Sequence, residues 1–113
     1  PLVVLGLGGV DTDMLADRTA RLVPLTDIDA DEMLDALRSS PMLFGPHATP
    51  PVDLHLVRDV LLRVARLAEV VPEILELDIN PLMAFDTGGL AVDARVRVAP
   101  IEPVNPYLRS LGC

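Results

Sequence analysis

The chain has 113 residues, half of them hydrophobic, with a formal net charge of −8. This length fits one compact domain, and its core must be aliphatic because only 3% of the residues are aromatic. A strongly acidic chain lacks the clustered cations that neutralise phosphates, which argues against a general affinity for nucleic acid or for an anionic membrane surface.

The single cysteine is the last residue, so no internal disulfide can form and nothing indicates secretion. No apolar run approaches the ~20 residues that a membrane span needs, and no signal-peptide pattern is present. We therefore expect no membrane association and a cytoplasmic location. Because residue 1 is Pro and a strand-like run follows at once, we expect the chain to be a fragment of a longer polypeptide.

Two short strands are predicted at the start of the chain. The run Leu2-Val3-Val4-Leu5 predicts a buried strand that ends in a glycine-rich turn at 6–9. Residues 20–25 predict a second strand, which Pro24 confines to a sheet edge or brings to its end.

Two helices are predicted next. Asp29 is the expected N-cap of the first helix, with Glu32 completing a capping box. Prolines and glycine predict a loop over 41–51. Asp53 is the expected N-cap of the second helix, which cannot continue past Pro72 and has an apolar stripe at steps of three and four: Leu54, Val57, Val60, Leu61, Val64, Leu67 and Ala68.

After the second helix the hydrophobic period changes to two. Residues 73–79 and 81–85 predict strand, 86–89 predict a hairpin turn, and 90–98 alternate as a further strand. The prediction is an α+β domain, a mixed α/β layer with two helices packed on one sheet, over residues 1–99. Residues 100–113, which contain three prolines, predict an extended tail.

Asp78, Asn80 and Asp93 are the candidate metal ligands. Asp78 and Asn80 are two residues apart in a strand and so share a face, and pairing across the turn would bring Asp93 near Asn80. Two carboxylates and an amide oxygen suit Mg²⁺. The alternative interpretation is a turn at Asn80-Pro81 and a surface ion pair between Asp93 and Arg95 or Arg97.

The glycine-rich turn and one arginine are candidates for binding phosphate. Gly8 and Gly9 would let backbone N–H groups approach a phosphate, but the residues alone favour a tight turn between two strands. Arg21 could face a phosphate or a buried carboxylate, or could lie on a strand surface. His47 and His55 are read as solvated side chains rather than catalytic ones.

These motifs together resemble a known family. The run ELDINPL, then a hairpin and VDARVRV, resembles the C-terminal part of the ATP-grasp domain in acyl-CoA synthetases that form ADP, and more distantly the succinyl-CoA synthetase β subunit. The glycine-rich turn up to Asp13, and the Arg-x-x-Pro-Leu run from Arg21, are similar to the same family. Asp13 departs from the family, which more often has Glu there.

The resemblance implies an ATP-grasp C-terminal lobe that binds Mg²⁺ and ATP or ADP. Asn80 and Asp93 would ligate the metal with Asp78 beside them, and Gly8, Gly9, Asp13 and Arg21 would contact the nucleotide. The parent enzyme would make acyl-CoA, ADP and phosphate from a carboxylate, CoA and ATP. We expect no catalytic residue in the chain and no turnover by it alone.

The implied partners are the N-terminal nucleotide lobe and the CoA-binding domains of the parent. Without these partners, apolar surface of this chain would be exposed, and we therefore hypothesise that the chain dimerises. One alternative function is a non-catalytic ATP-grasp-like regulatory or docking module fused to another enzyme, such as an acetyltransferase. A second is an ATP-grasp ligase that makes an acyl phosphate without CoA.

Overall fold

The computed structural model describes residues 1–8, 17–46, 48 and 50–101. Three helices and six strands lie within these residues, and all strand pairs are antiparallel. The predicted α+β class is confirmed. The helices are α1 (Asp27–Ala36), α2 (Ser40–Phe44) and α3 (Leu54–Val70). The strands are β1 (Leu2–Gly6), β2 (Arg18–Leu22), β3 (Ile74–Ile79), β4 (Leu82–Phe85), β5 (Gly88–Ala91) and β6 (Ala94–Val98).

Helix α1 begins two residues before the predicted N-cap. Thr26 is the N-cap, and its side chain accepts a hydrogen bond from the backbone N–H of Asp29. The Asp29 carboxylate accepts in return from the Thr26 N–H, at 2.8 Å. The prediction that Asp29 caps the helix with Glu32 as its partner is therefore wrong, because Thr26 and Asp29 form the same reciprocal pair three residues earlier.

The predicted loop over 41–51 contains the short helix α2. Pro41 lies in its first turn, where the missing N–H has no helical partner in any case, so proline does not oppose this helix. Gly45 ends it, with its N–H donating to the carbonyl of Pro41. The prediction of a structureless loop was wrong at this point.

Helix α3 agrees with its sequence pattern. Asp53 is the N-cap and accepts from the N–H of Leu56 at 3.2 Å, and Val71 closes the helix just before Pro72. Its buried face consists of Val57, Leu61 and Ala65. No helix within the described residues is long and apolar enough to cross a membrane.

The hydrophobic core lies between α1, α3 and the β1–β2 pair. Met33 and Leu34 of α1 are the largest side chains that are fully buried, and Val3 of β1 packs against them. The Thr19 hydroxyl donates to the Met33 carbonyl at 3.0 Å, which fixes β2 on α1. Aliphatic side chains supply this core, as the composition predicts.

The strands after α3 form one long hairpin. β3 pairs with β6 and β4 pairs with β5, and both pairs have the same register apart from a bulge near Ile74. The turn at 86–87 is followed by Gly88, whose φ of 131° favours glycine. The predicted strand 90–98 is thus two strands, interrupted at Val92-Asp93.

Replacing Met33 with Ala should destabilise the fold much more than the same change at Met42. Met33 is 0% exposed and Met42 is 79% exposed, so only the first substitution leaves a cavity. We expect Met33→Ala to lower the free energy of unfolding by about 2–5 kcal/mol and Met42→Ala to change it little. Urea denaturation measures both, and equal losses would show that the core is misplaced.

Candidate functional site

Asn80 and Asp93 face each other where the long hairpin passes from the β3–β6 pair to the β4–β5 pair. The backbone N–H of Asn80 donates to the Asp93 carbonyl at 3.0 Å, and the N–H of Val92 donates to the Pro81 carbonyl at 3.0 Å. These bonds continue the register of the flanking strands, in which Ile79 pairs with Ala94. We call residues 80–81 and 92–93 the hairpin kink. Directly opposed residues of an antiparallel pair share a face of the sheet.

Asp78 lies on the same strand, two residues before Asn80. Both side chains are exposed, whereas Leu77 and Ile79, which alternate with them along the strand, are partly buried. This alternation indicates that Asp78 and Asn80 share the face of the sheet turned away from the core. The structure therefore brings the three predicted residues to one neighbourhood of the fold.

The surface ion pair between Asp93 and Arg95 that the alternative interpretation offered is also present, whereas Arg97 pairs with Glu76. The Asp93 carboxylate lies 3.9 Å from the Arg95 guanidinium, and Glu76 accepts a hydrogen bond from Arg97 at 3.1 Å. Both pairs are exposed, so each contributes little to stability. No three His, Cys, Asp or Glu side chains within the described residues are grouped closely enough to hold a metal. A cage of carboxylates is thus absent there, and any cation would take an amide oxygen and solvent as further ligands.

The glycine-rich turn lies next to the hairpin kink. A Cβ placed on Gly8 would be 3.9 Å from the Cβ of Pro81. Gly9 and Asp13, the other predicted nucleotide contacts of this segment, lie outside the described residues, as does His47. His55 is exposed at the start of α3.

An opening separates β1 from β3 and forms two cavities of about 600 and 750 Å³. β1 pairs only with β2, and β3 pairs only with β6, among the strands that the structure describes. One edge of each strand thus faces the opening with no strand beside it. Gly8, Asp78 and Asn80 line both cavities.

Arg21 is not brought together with these residues. It pairs in register with Val3, whose side chain is buried, and its guanidinium lies 3.5 Å from the Glu32 carboxylate on α1. The Arg21 side chain is absent from the linings of both cavities. Of the alternatives that the sequence left open, the structure gives an exposed ion pair between strand and helix.

Asp17 is a buried acid that the sequence analysis did not select. Its two carboxylate oxygens accept from the N–H groups of Arg38 and Ser39, at 2.7 and 2.9 Å, and so hold the junction of α1 and α2 to the start of β2. The partners are 21 and 22 residues away, so no local pattern could have indicated them.

The pKa of the Asp17 carboxyl is lowered from its ordinary value, chiefly by the nearby side-chain hydroxyl of Ser39. Backbone hydrogen bonds from Arg38 and Ser39 and the charge of Arg38 act in the same direction, while burial opposes them. Hydrogen bonds to the ionised form stabilise that form, so Asp17 stays ionised at neutral pH although it is buried.

The fold and these motifs define the class of protein. Residues 1–98 match the family model of the ATP-grasp domain, and the chain belongs to that family. The predicted resemblance to the ATP-grasp domain of ADP-forming acyl-CoA synthetases is confirmed by the relatives that follow.

Several curated relatives are ADP-forming ligases. The chain is 40% identical over 96 residues to the acetate–CoA ligase [ADP-forming] I subunit beta of Pyrococcus furiosus, covering 85% of this chain and 41% of the relative. It is 33% identical over 88 residues to the 4-hydroxybutyrate–CoA ligase [ADP-forming] of Nitrosopumilus maritimus, covering 78% of this chain and 13% of the relative. The chain thus spans less than half of either relative.

A solved structure has the same fold. The acetyl-coenzyme A synthetase 1 of Ca. Korarchaeum cryptofilum, in complex with coenzyme A and Mg-AMPPCP, is 35% identical with a TM-score of 0.81. The match covers 88% of this chain and 46% of that one. The likeness therefore extends from sequence motifs to three-dimensional structure.

Replacing Asp17 with Asn should remove a pH-dependent part of the stability. Because the folded pKa lies below the ordinary value of 3.8, the ionised carboxylate stabilises the fold above that value and the contribution is lost as pH falls through the folded pKa. We expect wild type to be more stable than Asp17→Asn at pH 7, with the difference shrinking below pH 3.8. Urea denaturation from pH 7 down to pH 3 measures this.

The control for this series is Asp35→Asn, which alters an exposed carboxylate on α1. Its stability should follow the pH dependence of wild type. A constant difference between wild type and Asp17→Asn across the whole range would contradict the prediction.

Proposed function

We propose that this chain is the metal-bearing part of the nucleotide site in an ADP-forming acyl-CoA synthetase. The observation that supports this most is the opposition of Asn80 and Asp93 at the hairpin kink, in a fold shared with such enzymes. The parent enzyme would convert a carboxylate, CoA and ATP into acyl-CoA, ADP and phosphate. With no membrane-spanning helix among the described residues, we propose a cytoplasmic location.

Mg²⁺ fits the oxygen donors of the hairpin kink. The amide oxygen of Asn80 and the carboxylate of Asp93 would ligate the cation, with Asp78 on the same face as a third donor. All three side chains are exposed, which leaves room for water and phosphate oxygens in the coordination shell that Mg²⁺ prefers. When bound, the cation offsets negative charge on the transferring phosphoryl group.

The glycine-rich turn would hold the phosphates close to the metal. Gly8 carries no side chain and lies beside Pro81, so its backbone leaves the approach to Asn80 open. Gly9 and Asp13 remain proposed nucleotide contacts. Arg21 would join them only by giving up the ion pair with Glu32.

The rest of the ATP-grasp domain is the proposed partner of the opening between β1 and β3. The two strand edges facing the opening carry unpaired backbone groups, and unpaired edges favour the addition of a strand. Apolar side chains nearby are exposed, among them Leu2, Val4 and Leu75. In isolation the same edges and side chains would promote pairing of two copies of this chain.

A module without catalysis is the second candidate function. The observation in its favour is the 3.9 Å approach of Arg95 to Asp93, which gives that carboxylate a partner without any metal. Such a module would regulate or dock a fused enzyme, for example an acetyltransferase. Metal affinity distinguishes it from the first proposal.

Replacing Asn80 or Asp93 with Ala should weaken Mn²⁺ binding. Each change removes an oxygen ligand. Altering a group that only supports a ligand lowers metal affinity roughly tenfold or more, so removing the ligand itself should lower it at least as much. Titration of the 113-residue chain, followed by the EPR signal of free Mn²⁺, measures the dissociation constant.

Asp86→Ala is the matched control, since Asp86 is an exposed acid in the turn at the other end of β4. It should bind Mn²⁺ like wild type. The same affinity in wild type, both kink variants and the control would contradict the metal site and favour the non-catalytic module.

The chain alone should make no thioester. It spans 41% of the Pyrococcus furiosus subunit, so it would lack the second nucleotide lobe and the CoA-binding domains. Incubation with ATP, Mg²⁺, CoA and acetate, followed by mass spectrometry for acetyl-CoA, tests this. A complete ADP-forming acetate–CoA ligase serves as the positive control, and steady thioester formation by the 113-residue chain would refute the prediction.

A further inference from the structure

The side chain of Arg18 stands out because it has no ion-pair or hydrogen-bond partner among the described residues. The other described arginines each have such an interaction. In a chain with a net charge of −8, an arginine without a carboxylate partner in the part that the structure describes is unusual. With respect to those residues, its guanidinium is available to an anion from outside the chain.

The backbone directs Arg18 to the face of the sheet opposite Arg21. Arg18 pairs in register with Gly6, and Arg21 pairs with the buried Val3 three positions away. Since side chains alternate between the two faces of a strand, the Arg18 side chain lies on the outer face and Arg21 lies towards α1. Exposed Val4 shows which face of β1 is the outer one.

Gly6 provides the space beside Arg18. A Cβ on Gly6 would lie 3.3 Å from the Cβ of Arg18 and 3.3 Å from the carbonyl oxygen of Asp17, which is a tight contact. A larger residue at position 6 would crowd the guanidinium stem away from β1. With glycine there, the Arg18 side chain lines the cavity of about 600 Å³ between β1 and β3.

That cavity combines a cationic side chain with two of the three proposed metal ligands. Among the described residues, Arg18 alone gives its lining a cationic side chain, and Gly8, Asp78 and Asn80 line it too. Asp17 and Glu76 are also in the lining, but Asp17 accepts from backbone N–H groups and Glu76 pairs with Arg97. An anion held there would meet a guanidinium at one wall and a carboxylate–amide pair suited to Mg²⁺ at the other.

We propose that Arg18 binds a phosphate oxygen of the metal-bound nucleotide, opposite the Asp78–Asn80 wall. Phosphate groups carry enough oxygens to coordinate the cation and to accept from a guanidinium at the same time, and arginine matches phosphate with two parallel hydrogen bonds. The inference rests on the proposed function, because it needs Mg²⁺ at the hairpin kink to bring the phosphates into the cavity.

Calorimetric titration of the 113-residue chain with inorganic triphosphate in the presence of Mn²⁺ tests this role. We expect Arg18→Ala to weaken triphosphate binding roughly tenfold or more, as for loss of a charged hydrogen bond, while its affinity for Mn²⁺ alone stays that of wild type. Arg18→Lys keeps the charge without the fork and should be intermediate, which preserves the test if the alanine variant misfolds. Arg63→Ala is the control, because Arg63 is an exposed arginine of α3 that pairs with Asp59.

The outcomes separate this inference from the proposed function. Unchanged triphosphate affinity in both Arg18 variants, with normal Mn²⁺ binding, would overturn the role of Arg18 and leave the metal site intact. If wild type binds neither Mn²⁺ nor triphosphate, both proposals fail together. A loss of triphosphate binding in Arg63→Ala equal to that in Arg18→Ala would show a general charge effect and would also overturn the inference.

Discussion

The continuous register of the long hairpin is the constraint on which the candidate site depends. β3 and β4 follow each other along one arm of the hairpin, and β5 and β6 follow each other along the opposing arm. The hydrogen bonds at residues 80–81 and 92–93 continue the register across the kink. A shift by one residue would move every side chain to the other face. Asn80 and Asp93 can therefore oppose each other only because the turn at 86–87 sets the register correctly.

The helices fix this hairpin to the rest of the fold. The N–H of Asp53, the N-cap of α3, donates to the Phe85 carbonyl at 2.7 Å, which ties the start of the helix to the end of β4. The same helix packs on β1 through its buried face. Because one rigid helix contacts both elements, the glycine-rich turn after β1 and the kink after β3 are held at a defined separation.

Local pattern was sufficient for the elements whose signals are unambiguous. The apolar stripe and Asp53 gave α3, and the alternation around 73–98 gave the hairpin and the opposition of Asn80 and Asp93. The start of α1 was misplaced because Thr26–Asp29 and Asp29–Glu32 are both capping-box spacings, and only the structure shows which pair forms. Asp17 could not be found this way, because its hydrogen bonds are with a distant segment, and Arg18 could not, because distant strands form the cavity that it lines.

Gly89 lies where α3 packs against the hairpin that carries the candidate metal site. A Cβ there would lie 2.3 Å from Leu56 Cδ2 on the helix and 2.8 Å from the Met83 carbonyl oxygen. Any side chain at position 89 would push against the Leu56 side chain of α3 and would collide with the backbone of β4. Because the hairpin pairs continuously from its turn to the kink, a shift of β5 against β4 would alter the positions of Asn80 and Asp93. A residue without a side chain thus affects the geometry of the two proposed ligands.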